Sequence, residues 1–214
     1  MNKNCYTSIL SPDLFIPLER KYYKRYCLDV AEDILGKYLI KNDLDNLLVG
    51  KIVEVEAYDG SIDEASHSYC GITNRNRVMF NEGGCLYVYL SYGVHFCANI
   101  VTGNKNEGQA VLIRAVEPVV GIEKMLINRF GHEAVKDSDF YNLTNGPGKV
   151  CKAFEINLTH NGIDICGNKI FIAANRETEK FEIIRTERIG IKKSRHLQWR
   201  FYIKNNRFVS NTKK

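Results

Sequence analysis

The chain has 214 residues, of which 44% are hydrophobic and 26% charged, with a formal net charge of +5; this is the make-up of an ordinary globular protein and argues against a disordered or fibrous one. Its seven cysteines are odd in number and contain no C-x-x-C pair, which gives no disulfide framework and no zinc or iron–sulfur spacing, so reduced thiols in a cytoplasmic protein are expected. No apolar run is long enough to span a bilayer, and the opening MNKNCYTSIL lacks the apolar core and cleavage site of a secretory leader, so neither membrane insertion nor secretion is expected.

Residues 1–25 are loosely patterned and read as an N-terminal extension. Residues 26–214 contain no repeat and no Pro/Gly/Ser-rich linker, and read as one domain. Leu28 to Leu35 carries Leu28, Ala31, Ile34 and Leu35 at helical spacing, and Gly36 is placed to end that helix before a short strand at 38–40. Further strands are expected at Lys51 to Tyr58, Cys85 to Leu90, His95 to Val101, Ala110 to Val116 and Lys169 to Ala173. Val119 to Arg129 and Pro147 to Phe154 read as helices. Without a regular βαβ alternation, these elements predict an α+β fold: a mixed, largely antiparallel curved sheet flanked by helices, with a protruding hairpin.

Period-two alternation along Ile52 to Tyr58 puts Glu54, Glu56 and Tyr58 on one face. That pattern fits either a half-exposed strand or a wall bearing two carboxylates and a phenol. The loop that follows is long. It holds His67, which alone is more often structural than catalytic, and then Thr73-Asn74-Arg75-Asn76-Arg77, a cluster able to grip phosphates.

The segment Leu86 to Ile100 folds back at Ser91-Tyr92-Gly93-Val94, where glycine admits the positive φ of a tight turn and leaves Tyr92 at the tip. An aromatic at an exposed tip is a wedge for a base stack. Tyr87 and Tyr89 share a face and suit either cross-strand packing or stacking on a base. Arg114 interrupts an apolar strand and needs a buried partner, for which Glu56 is the attractive candidate. Thr144 to Lys149 suits anion binding or plain capping at a helix start. From Arg176 onward basic residues outnumber acidic ones about threefold, which fits a phosphate-facing surface or a solvated tail.

Taken in order, Glu56-Ala57-Tyr58, His67-Ser68, Arg75-Asn76-Arg77 with Met79-Phe80, Tyr87-Val88-Tyr89, Tyr92-Gly93 and Asn99 resemble the alkyladenine (3-methyladenine) DNA glycosylase family. So do Leu112 to Pro118, Gly146-Pro147-Gly148-Lys149, Arg188-Ile189-Gly190 and Arg200-Phe201-Tyr202. The likeness runs from about Leu28 to Ser210. It departs in the loop between His67 and Arg75, one residue shorter, with Asn74 where a proline often sits.

The resemblance implies that Glu56 deprotonates the attacking water, which Arg114 and the Ile189 carbonyl help to hold. Tyr58, His67 and Tyr89 would sandwich a flipped base, Asn99 would obstruct guanine, and Tyr92 would fill the gap in the duplex. By their own chemistry Thr73, Arg75, Asn76 and Arg77 suit contact with DNA, and Lys149 suits phosphate contact or helix capping. No metal or cofactor is implied. Because no lysine in these motifs is an evident Schiff-base nucleophile, a monofunctional enzyme is expected, acting as a monomer on double-stranded DNA containing damaged purines.

Two other readings use the same residues. One is a non-catalytic nucleic-acid-binding module. The other is a glycosidase using Glu54 and Glu56, which two positions of strand rise would separate by roughly 6 to 7 Å.

Overall fold

The computed structural model describes residues 15–43, 46–133, 136–175 and 179–210. Strand β1 (Phe15–Pro17) and the single-turn helix α1 (Arg20–Tyr23) lead into helix α2 (Cys27–Asp33). Helix α2 buries Cys27, Val30 and Ala31, with Ile34 and Leu35 just beyond its end, and this one-sided stripe faces the sheet.

The remaining strands are β2 (Tyr38–Asp43), β3 (Asn46–Asp59), β4 (Leu86–Ser91), β5 (His95–Thr102), β6 (Gln109–Val120), β7 (Ile170–Asn175), β8 (Ile183–Thr186) and β9 (Arg200–Ile203). Three further helices are α3 (Ile122–Phe130), α4 (Asp137–Tyr141) and α5 (Pro147–Ala153). The strands run in the order β1-β7-β2-β3-β6-β5-β4, with β9 paired to β3 and β8 to β9. This is the expected α+β class, and every strand pairing among the described residues is antiparallel.

Strand β3 organises the sheet. Its 14 residues pair along one edge with β6, while the other edge is shared between β2, opposite 46–51, and β9, opposite 54–56. Register shifts around Glu54 mark bulges in the β3–β6 ladder, which bend the strand. Helices α2, α3 and α5 cover the sheet, and Met125, Leu126, Val150, Cys151 and Phe154 join the main core.

Several strands run longer than the sequence reading, and two differences change an assignment. Residues 15–25, grouped there with the extension, take part in the domain: β1 pairs with β7 and Tyr23 is fully buried in the core. Residues 1–14 lie outside the described residues. The helix expected from Val119 starts instead at Ile122. The β-branched Val119 and Val120 extend β6, with Val120 opposite Val49. The chain then turns at Gly121, whose φ of +75° few side chains tolerate.

Candidate active site

Antiparallel partners that lie opposite each other share a face. One such row crosses five strands, running Tyr87, Asn99, Leu112, Glu56 and Arg200 over β4, β5, β6, β3 and β9. Both faces of β3 are covered here, and Glu54 and Glu56 are each 0% exposed. The half-exposed polar strand is therefore excluded.

Two buried carboxylates require compensation, and their partners differ. The Tyr58 hydroxyl donates to Glu56 Oε2 at 2.8 Å, and the Ile189 backbone N–H donates to Oε1 at 2.7 Å. Arg114 Nη1 stands 3.2 Å from Oε2. Oε1 thus has one hydrogen-bond donor against about two acceptor sites and keeps capacity for one more, such as a water. Glu54 is more fully engaged. It accepts from Arg114 Nε at 3.0 Å, Arg200 Nε at 2.6 Å, and the N–H and hydroxyl of Ser210, both at 2.7 Å. Such a carboxylate has no room to act on a substrate, and the paired-acid glycosidase loses its second acid.

Above this pair opens a cavity of about 680 Å³, whose lining includes Tyr58, His67, Tyr89, Asn99, Arg114 and Ile189, with Arg75, Tyr92, Lys192 and Lys193 also contributing. Glu56 lies directly behind Tyr58, Arg114 and Ile189. Burial, then the Glu56 charge, raise the Tyr58 pKa well above the usual phenol value, which keeps its hydroxyl a donor. Burial opposes the charge on Arg114, but Glu56 and Glu54 outweigh it and its pKa is raised.

The aromatic wall is held by local contacts. His67 and Tyr89 meet edge to face with centroids 4.5 Å apart, and Tyr87 stacks on Tyr89 at 5.5 Å. The Tyr87 hydroxyl lies 3.1 Å from His67 Nδ1, so Tyr87 packs in the core and also orients the histidine. Although His67 keeps an exposed side, desolvation among these rings and then the charge of Arg75 lower its pKa. Removing that charge acts in the opposite direction. In Arg75→Gln, an NMR titration of His67 is expected to show a higher midpoint than in the parent; an unchanged or lower midpoint would contradict this electrostatic account.

The loop residues divide into two groups. Thr73, Arg75 and Arg77 are exposed, whereas Asn76 is buried. The Asn76 side chain accepts from the Thr73 N–H and donates to the carbonyls of His67 and Gly71. Its amide is thus consumed in shaping the loop. Arg75 donates to the Leu90 carbonyl at 3.2 Å and lies 5.7 Å over the Tyr89 ring. Tyr92, 90% exposed with a φ of +50°, stands at the hairpin tip before Gly93. Lys149 is half-buried, donates to Asn145 Oδ1 at 2.6 Å, and has a pKa lowered by burial and then by Arg129.

A buried ion pair was not legible in the sequence. Arg188 binds Asp63 through both terminal nitrogens, at 2.5 and 2.7 Å, and also donates to the Ala57 carbonyl at 3.0 Å. Its guanidinium lies 4.6 Å from the centroid of Tyr58 and 5.4 Å from that of Trp199, backing the ring whose hydroxyl holds Glu56. Much of the basic excess in the C-terminal third is likewise paired internally, as in Arg185–Glu32, Lys193–Glu64, Arg195–Glu187 and Lys204–Glu182.

Comparison with known proteins places the chain in a family. The family model described as methylpurine-DNA glycosylase (MPG) matches residues 21–207. A protein of Alkaliphilus oremlandii is 47% identical over 199 residues, covering 90% of this chain and 98% of its own. One of Clostridium novyi is 44% identical with the same coverage, and one of Chlorobium phaeobacteroides is 45% identical over 197 residues, covering 92% and 96%. All three carry the name "Putative 3-methyladenine DNA glycosylase". The chain belongs to the methylpurine-DNA glycosylase family.

Proposed function

We propose that the protein is a monofunctional DNA glycosylase that removes alkylated purines from double-stranded DNA by flipping the damaged nucleotide into the cavity and hydrolysing its N-glycosidic bond. The observation that carries this reading is the buried carboxylate of Glu56, held by Tyr58, Arg114 and Ile189 with one acceptor position left, behind an aromatic-walled cavity.

In this mechanism a water donates one hydrogen to Glu56 Oε1, with the Ile189 carbonyl helping to hold it. Its oxygen bonds to the anomeric carbon while the bond to the base breaks and the electron pair leaves with the base. The proton passes to Glu56. A cationic alkylpurine leaves as a neutral base, and the tyrosine faces favour it over a neutral purine by roughly 0.5 to 2 kcal/mol. Asn99, whose amide donates to the Tyr87 carbonyl at 3.1 Å, limits the room for a guanine amine. Exposed Thr73, Arg75 and Arg77 contact phosphates, Asn76 shapes their loop, and Lys149 braces the start of α5. The enzyme works as a monomer in the cytoplasm. A purely nucleic-acid-binding module would use the same loop and tyrosines but has no need for Glu56.

The deciding assay is release of free base from methylated DNA and from duplexes carrying one ethenoadenine or hypoxanthine, with the abasic product examined for strand cleavage. Free base with an intact abasic strand supports the proposal. DNA binding without release from any of these substrates returns the binding module, and cleavage at the abasic site removes the monofunctional assignment.

Tyr92 supports almost nothing in the fold, so Tyr92→Ala is expected to leave thermal stability unchanged. Loss of one stacking surface should weaken binding to lesion-bearing duplex by about tenfold, with a smaller loss on single strands. Equal losses on both would refute the wedge.

A further inference from the structure

Arg114 is shared between two carboxylates. Its Nε serves Glu54 at 3.0 Å, Nη1 faces Glu56 at 3.2 Å, and Nη2 is 3.5 Å from the Ser210 hydroxyl. The guanidinium is rigid and planar, so whatever fixes its Nε edge also fixes the edge presented to Glu56. That first edge is fixed from the C-terminal segment. Ser210 gives its N–H to Glu54 Oε2 and its hydroxyl to Oε1, and its carbonyl accepts from Arg200 Nη2 at 3.2 Å. Arg200 in turn donates through Nε to Glu54. Glu54, Ser210 and Arg200 thus form a closed clamp around the far side of Arg114, and Ser210 lies beyond the residues that the family model matches.

We infer that Glu54 and Ser210 are positioning residues: they orient Arg114, and through it the Glu56 carboxylate, for the hydrolytic step. The inference rests on the reading of Glu56 as general base. Neither residue lines the cavity, so their contribution belongs to the rate of the chemical step and not to recognition of DNA or base. Charge balance points the same way. With Glu56 ionised, the two carboxylates are matched by Arg114 and Arg200. Neutralising Glu54 leaves Arg114 and Arg200 with one carboxylate between them, so Arg114 is no longer held at the angle it presents to Glu56. The other groups near Glu56 are the Arg188 cation and the titratable Tyr58, Tyr89 and Cys97, all unchanged by such a substitution.

The test is single-turnover base release by the full chain on an ethenoadenine duplex, for the parent, Glu56→Gln, Glu54→Gln, Ser210→Ala and Ser210→Thr. Ser210→Ala is expected to lower the rate at saturating enzyme by about tenfold, the worth of one hydrogen bond to a charged group, with the half-saturating concentration unchanged. Threonine at 210 restores the hydroxyl and the rate. In Glu54→Gln the rate at saturating enzyme also falls with the half-saturating concentration unchanged, whereas a merely structural role lowers the melting temperature and leaves the rate of the folded protein at the parental value.

Parental rates in folded Ser210→Ala and Glu54→Gln would overturn the inference. Should Glu54→Gln not fold, a parental rate in Ser210→Ala is sufficient to do so. Those results with an inactive Glu56→Gln remove only the positioning role. A parent that releases no base removes the glycosylase reading, and this inference with it.

Discussion

Replacement of Glu56 by glutamine is expected to suppress base release by at least about a thousandfold, within the range that a positioned general base supplies, while binding to lesion-bearing duplex is retained. The size of the effect follows from the donors around the carboxylate. Ile189 N–H occupies one oxygen, and Tyr58 and Arg114 face the other. A glutamine can accept on one side only, so its NH2 must point at a donor already in place, either the Ile189 N–H or the Arg114–Tyr58 pair. The variant therefore loses the base and also strains its setting, by about 1 to 3 kcal/mol for a mispaired buried group. Thermal melting should show a fall of several degrees, so activity must be read where the protein remains folded. A folded variant within tenfold of the parent would end the assignment of Glu56 as the base.

The second large effect concerns Asp63. Both side chains of the Asp63–Arg188 pair are 0% exposed, and removing one partner of a buried pair strands the other charge, typically at 3 to 5 kcal/mol. For a chain of this size that corresponds to a melting-temperature loss of about 10 °C in Asp63→Ala. Activity should fall further than stability alone explains, because Arg188 backs the Tyr58 ring and is bonded neighbour to Ile189. Melting curves and rates measured on one preparation test both parts. A loss below about 3 °C would mean that solvent reaches the stranded Arg188.

Local elements were legible in the sequence because their signals are local. The β-branched runs of β3, β5 and β6, the helical stripe of α2 and the Tyr92-Gly93 turn each occupy a few consecutive positions. Val119 and Val120 misled because apolar residues next to a helix suit either state, and only pairing with β3 decides between them. Strands β8 and β9 span four residues each, too few for alternation to declare itself. Arg200 can lie buried in a strand because Glu54 pairs with it.

The site divides in the same way. Alternation places Glu54, Glu56 and Tyr58 on one face, resemblance alone implies their roles, and the Arg114–Glu56 contact follows from the need of a buried arginine for a partner. Asp63 and Arg188 are 125 positions apart and Glu54 and Ser210 are 156 apart, distances over which periodicity says nothing. The basic count also overstated the phosphate-facing charge, since Arg188 and Arg200 turn inward.

The shared edge of β3 has a temporal consequence. During synthesis the ribosome delivers Glu54 146 residues ahead of Arg200, with Ser210 later still. Until that stretch emerges and docks as β9, Glu54 and Glu56 of β3 face only Arg114 of β6, and part of one β3 edge is unpaired. A nascent or clipped chain that stops short of this segment thus carries Glu54 without Arg200 and Ser210. The charge balance of this strand is therefore completed only when the C-terminal segment docks.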